Sequence, residues 1–134
     1  CRRDPLDLGA SMFFKQFRRG NLFTATLPAL GRAMARAEHL MDHWAETLPN
    51  PVLRLDYEAM VTDPQATVSR LSGLTALPLP APAPRDPQAM RLTPGRSLGR
   101  DGISSELVGV AAPFAAHLAP MMAAYRAERD RLAE

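Results

Sequence analysis

The residues with the clearest chemical potential lie near the start of the chain. Arg3 comes directly before Asp4 and Pro5, and Ser11 follows about two turns along the helix that this pair predicts. A guanidinium and a hydroxyl so placed can hold one phosphate group together, because arginine donates paired, charge-assisted hydrogen bonds to an anion. On spacing alone the alternative is an ion pair between Arg3 and Asp7, with Ser11 on a solvated face.

The helix that must position these residues has a clear start signal. Asp4 suits the N-cap, where its carboxylate accepts backbone N–H groups, and Pro5 suits the first helical position. We expect a helix from Pro5 to about Arg18. Asp7 and Ser11 are four residues apart and are therefore expected together on its polar side, away from the apolar residues.

Four further elements are expected along the chain. Apolar residues from Leu27 to Trp44 recur at spacings of three and four, which predicts an amphipathic helix. Val52 to Asp56 is a short apolar run of strand length, and a second Asp-Pro pair, Asp63-Pro64, begins a helix to about Leu74. Prolines then predict an extended connection from Leu77 to Pro87, a loop follows from Thr93 to Gly102, and two helical stretches offset by Pro113 and Pro120 end the chain.

The order of elements predicts the fold class. Cys1 to Arg3 is expected as the end of a strand, and Val52 to Asp56 as a second strand reached through helices. Strands separated by helices favour two short parallel strands in an α/β protein that is otherwise mostly helical, with its remaining strands expected upstream of Cys1. We divide the chain into residues 1–79, a proline- and glycine-containing loop at 80–102, and C-terminal helices of the same domain at 103–134.

Composition excludes several classes of protein without naming a function. The chain has 134 residues, a net charge of +2 and one cysteine, so it forms no internal disulfide. No Ser-His-Asp arrangement and no metal-ligand spacing is present, and no apolar run has the length of a membrane span. We therefore expect a cytoplasmic protein with no metal and no membrane contact. We also expect no nucleic-acid partner, because the aromatic residues do not interleave with the arginines.

Two segments resemble a known family. The run from Arg3 to Ser11 resembles the 3′-phosphate-binding motif of sulfotransferases: Arg, Asn or Asp, Pro, any residue, Asp, and a Ser eight places after the Arg. The stretch from Leu40 to Pro64 resembles the family's helix, Leu-Pro turn, strand and acidic turn. The resemblance covers residues 1–79 and is nearest to bacterial sulfotransferases fused to tetratricopeptide repeats, which are expected upstream.

The resemblance implies a donor, site residues and a fold. The donor would be 3′-phosphoadenosine 5′-phosphosulfate, with Arg3 and Ser11 on its 3′-phosphate and Tyr57 beside its adenine. Arg96 and Arg100 fall where the family places a second basic loop over the same nucleotide, although a flexible surface loop fits the sequence equally well. The implied fold is an incomplete P-loop-type sulfotransferase fold.

The resemblance also implies what must come from elsewhere. The phosphosulfate-binding loop and the catalytic base are expected upstream of Cys1, so this part alone is expected to be inactive. The acceptor, a hydroxyl or an amine, is unknown. Two alternatives stay open: a non-catalytic helical module that binds an acidic partner, and a degenerate sulfotransferase that keeps only the scaffold or the nucleotide pocket.

Overall fold

The computed structural model describes residues 1–15, 17, 20–80 and 105–134. Helix accounts for 65% of these residues. The five α-helices among them are α1 (Pro5–Phe14), α2 (Leu27–Thr47), α3 (Tyr57–Thr62), α4 (Pro64–Thr75) and α5 (Ala119–Leu132), and short 3₁₀ turns lie at Leu22–Ala25 and Ala112–Phe114. The chain forms two compact units: the bridge unit, Cys1–Arg2 with Leu53–Val108, and the helical unit, Arg3–Val52 with Gly109–Glu134.

Both Asp-Pro pairs begin helices as predicted. Asp4 Oδ1 accepts the N–H groups of Leu6 at 2.9 Å and Asp7 at 3.0 Å. Asp63 Oδ1 accepts the N–H of Ala66 at 2.9 Å in the same manner. These bonds satisfy backbone donors that have no partner inside the first turn of a helix.

The predicted helix lengths are confirmed in part. α2 runs from Leu27 to Thr47, as the apolar spacing predicted. α1 stops at Phe14 rather than near Arg18. In the C-terminal region, Pro113 and Pro120 lie in the first turns of the 3₁₀ turn and of α5, where proline removes no helical hydrogen bond. One of the two predicted helical stretches is therefore the α-helix α5, and the other is only a three-residue 3₁₀ turn.

Helices α2 and α5 pack closely in the core of the helical unit. Leu30, Ala35 and Met121 are each 0% exposed. The approach depends on Gly31, because a Cβ atom there would lie 2.2 Å from the Met121 carbonyl oxygen and 3.0 Å from the Tyr125 nitrogen. The two backbones can therefore meet only where α2 carries no side chain.

Polar contacts flank this apolar crossing. Arg36 on α2 and Arg131 on α5 each donate to Glu128 Oε1 at 2.7 Å, and these bonds, that from Arg131 first, lower the pKa of Glu128 to about 2. Tyr125 Oη donates to Glu38 Oε2 at 2.5 Å. Burial and the Glu38 carboxylate raise the pKa of Tyr125.

The predicted α/β fold class with two parallel strands is wrong. Within the described ranges there is no strand or sheet, and the two segments expected to pair meet only in an isolated parallel bridge between Arg2 and Asp56. The Arg2 N–H donates to the Leu55 carbonyl at 2.6 Å, and the Tyr57 N–H donates to the Arg2 carbonyl at 2.8 Å. The chain turns into α1 after Asp4 and into α3 after Asp56, so the pairing does not continue beyond these residues towards the C-terminus.

A side chain binds the backbone of the segment that was predicted to be the second strand. In the bridge unit, Arg70 on α4 donates through Nη2 to the Arg54 carbonyl at 2.9 Å. Residues 52–55 therefore have no regular secondary structure, and a helix side chain binds their backbone at Arg54. The predicted proline-rich connection continues past residue 80 into residues outside the described part of the chain, and the predicted loop from Thr93 to Gly102 lies wholly outside it.

Candidate functional site

Arg3 stands immediately before the N-cap of α1. It is half-buried, and its Nε atom is shielded from solvent. The N–H groups of Leu6 and Asp7, which a helix end could offer to an anion, already bind the carboxylate of Asp4. An anion at this helix end would therefore be held largely by side chains.

Ser11 lies on α1 and is exposed. It follows Pro5 by six residues, which places it about 9 Å along the helix axis at 1.5 Å per residue. Arg3 and Ser11 both belong to the helical unit. The structure therefore places Arg3 just before the N-cap of α1 and Ser11 on the exposed surface of the same helix.

Asp7 is not on a solvated polar side of α1, contrary to the prediction. It is 2% exposed, and its carboxylate accepts two backbone N–H groups from the C-terminal part of the helical unit. Oδ2 binds the N–H of Gly109 at 2.6 Å, and Oδ1 binds the N–H of Ala111 at 2.8 Å. Gly109 has a φ of +74°, a left-handed conformation that glycine adopts without strain, and it helps to aim both donors at one anion.

A second contact joins the same two parts of the chain. The Phe14 and Phe114 rings meet edge to face with their centroids 5.9 Å apart. Ser11 comes four residues after Asp7 and three before Phe14, so the three residues share one face of α1. The segment Gly109–Phe114, hereafter the wall segment, therefore contacts α1 on either side of Ser11.

The other predicted ligands lie elsewhere or outside the described residues. Tyr57 is the first residue of α3, in the bridge unit, and is half-buried. Its N–H donates to the carbonyl of Arg2. Arg96 and Arg100 fall in the part of the chain that the structure does not describe.

The histidines and acidic residues that the structure describes form no metal-binding cluster. All three histidines are exposed on helical or turn segments: His39, His43 and His117. Among residues 1–15, 17, 20–80 and 105–134, no group of three or more His, Cys, Asp or Glu side chains is arranged to hold a metal ion. The same residues contain no helix with the length and apolar character of a membrane span.

Asp7 is the residue whose role the sequence pattern did not predict. Its acidic character and its spacing to Ser11 predicted a solvated side chain. Gly9 and Ala10 are small and buried, and they allow α5 to approach another side of the same helix, but neither residue marks the side on which Asp7 is covered. A Cβ atom on Gly9 would lie 2.2 Å from Met121 Sδ.

A family model matches the part of the chain that contains the candidate site. A model described as the sulfotransferase family matches residues 1–81, a span that includes Arg3, Asp7, Ser11 and Tyr57. No curated protein and no solved structure gave a significant match. The match covers more than half of the chain and includes the motif at the start of α1, so this chain belongs to the sulfotransferase family.

Proposed function

We propose that this chain is the donor-binding part of an enzyme that transfers a sulfuryl group from 3′-phosphoadenosine 5′-phosphosulfate to a hydroxyl or amine acceptor. Sulfuryl transfer follows from the family; the donor and the role of this part are the proposal. The observation that carries it is the placement of Arg3 at the entrance of α1 and of Ser11 on its exposed surface.

The proposed contacts to the 3′-phosphate are made by side chains. Arg3 brings a permanent positive charge and paired donors, and Ser11 brings a hydroxyl that is open to solvent. Asp4 already occupies two of the backbone donors at this helix end. Loss of either ligand should therefore remove much of the affinity for the phosphate, since the helix amides cannot fully replace it.

The proposal extends to the adenine and to a second basic loop. Tyr57 would contact the adenine, as the resemblance to the family implies. Arg96 and Arg100 would add charge around the phosphates. The base that deprotonates the acceptor and the loop that binds the phosphosulfate are proposed to come from other parts of the enzyme.

Calorimetry of the full-length protein with adenosine 3′,5′-bisphosphate tests the site. We expect Arg3→Ala and Ser11→Ala each to weaken binding by about 1.5 to 3 kcal/mol, roughly ten- to over a hundred-fold. Arg32→Ala on α2 and Ser69→Ala on α4 are matched controls, because they remove the same groups from exposed helix surfaces. These controls should bind as the wild type does.

Two outcomes of the binding experiment would contradict the proposal. If Arg3→Ala and Ser11→Ala bind the nucleotide with wild-type affinity, the assignment of the 3′-phosphate site is wrong. If the wild-type protein does not bind the nucleotide, the proposed donor is wrong. Binding of an acidic protein in its place would support the interaction-module alternative.

A further inference from the structure

We propose that Asp7 is a positioning residue for the 3′-phosphate site, because it fixes the wall segment against the face of α1 that presents Ser11. The inference rests on the proposed function and deepens it. In this role Asp7 contacts no substrate and acts through the wall segment. Its basis is the pair of bonds from Asp7 to Gly109 and Ala111, together with the position of Ser11 one turn further along the helix.

The buried carboxylate of Asp7 is an acceptor at both of its oxygens. Asp7 is 2% exposed, and each of its carboxylate oxygens accepts a backbone N–H. Two donors that converge on one group require an acceptor at both positions, which a carboxylate supplies. An asparagine would turn its own NH₂ group towards one of the two donors and lose that bond.

The wall segment contacts α1 both before and after Ser11. Asp7 contacts the wall segment at Gly109 and Ala111, and Phe14 contacts it at Phe114. Ser11 lies between Asp7 and Phe14 on the same helix face and stays exposed. Contacts before and after Ser11 fix the surface beside its hydroxyl, which limits the directions from which an anion can approach.

The negative charge of Asp7 must be compatible with a phosphate bound nearby. A carboxylate one helical turn from a bound phosphate would repel it if both faced the same solvent. The N–H dipoles of Gly109 and Ala111 point at the Asp7 carboxylate and offset part of its negative charge, which reduces this repulsion. An acidic residue can therefore belong to a phosphate-binding motif without contacting the phosphate.

A double-mutant cycle on the full-length protein tests the positioning role. Binding of adenosine 3′,5′-bisphosphate is measured by calorimetry for the wild type, Asp7→Asn, Ser11→Ala and the double variant. We expect Asp7→Asn to weaken binding about tenfold. We expect Ser11→Ala to weaken it at least tenfold in the wild type but less than about threefold when Asp7 is already replaced, since groups that act together are not additive.

A second variant protects the test against loss of folding. Phe114→Ala removes the other contact of the wall segment and changes a side chain that is 46% exposed. It should weaken nucleotide binding in the same direction and reduce the effect of Ser11→Ala. Trp44→Ala removes an aromatic ring of similar exposure, 45%, from α2 and should leave binding unchanged.

The outcomes separate this inference from the proposed function. If the wild type binds and Ser11→Ala weakens binding, but the effects of Asp7→Asn or Phe114→Ala multiply with it, Asp7 has only a structural role. If Asp7→Asn is less stable yet binds with unchanged affinity, the positioning role is equally refuted. Absence of binding by the wild type overturns the proposed function, and the inference with it.

Discussion

Replacement of Gly31 by alanine tests the packing of the helical unit. Gly31 is buried on α2 where the backbone of α5 crosses it. An added Cβ atom would lie 2.2 Å from the Met121 carbonyl oxygen and 3.0 Å from the Tyr125 nitrogen. Because both obstacles are backbone atoms, no side-chain rotation can relieve the clash. The helices must move apart by about 1 Å, and the contacts around the crossing weaken as they separate.

The expected free-energy change has two opposing parts. Overpacking a close-packed core costs about 1 to 3 kcal/mol, and a rigid obstacle favours the upper end of that range. Alanine within a helix recovers about 1 kcal/mol relative to glycine. We therefore expect Gly31→Ala to lower the free energy of unfolding by about 2 kcal/mol. Gly73→Ala on α4 is the matched control, because a Cβ there meets nothing within 4 Å.

Urea denaturation followed by circular dichroism gives the free energy of unfolding of the wild type and of the Gly31→Ala and Gly73→Ala variants. Hydrogen exchange of the amides in α2 and α5 shows whether the loss falls in the helical unit. Gly73→Ala should leave stability unchanged or raise it by up to about 1 kcal/mol. Equal stabilisation by both substitutions would mean that the close crossing of α2 and α5 is not as described.

Two further predictions concern titration. The folded-state pKa of Glu128, about 2, lies below its ordinary value of 4.5, so the stability from its bonds to Arg131 and Arg36 is complete above pH 4.5 and is lost as the pH falls towards 2. Urea denaturation at several pH values should show this loss, and Glu128→Gln should flatten it. Spectrophotometric titration should show a tyrosine ionising above the ordinary value near 10, because burial and the bond to Glu38 raise the pKa of Tyr125; Tyr125→Phe should abolish that step.

Local chemistry explains which elements could be predicted. The cap at Asp4 or Asp63 depends on donors two or three residues away, and the apolar spacing of α2 is visible in any short window. Both helix starts and the extent of α2 were therefore predicted correctly. The prediction of a strand at residues 52–56 was wrong because the hydrogen bonds of this segment depend on groups that are distant in sequence. These groups are the Arg70 side chain and the backbone of Arg2.

The candidate site shows the same division. The motif predicted the place of Arg3 and Ser11 at one helix, since both lie within eight residues of each other. It did not predict the burial of Asp7, whose donors are 102 and 104 residues away. No local pattern in the first helix indicates that a backbone segment from the far end of the chain will cover it.

The split arrangement of the helical unit sets an order of events during translation. Arg36 and Glu128 are 92 residues apart, so at about 5 to 20 residues per second roughly 5 to 18 s pass between their synthesis. During that interval α5 has not been synthesised, so the surface of α2 around Gly31 lacks the helix that crosses it in the folded unit. Helix α1 therefore acquires its contacts with the wall segment only after residues 109–114 have been synthesised.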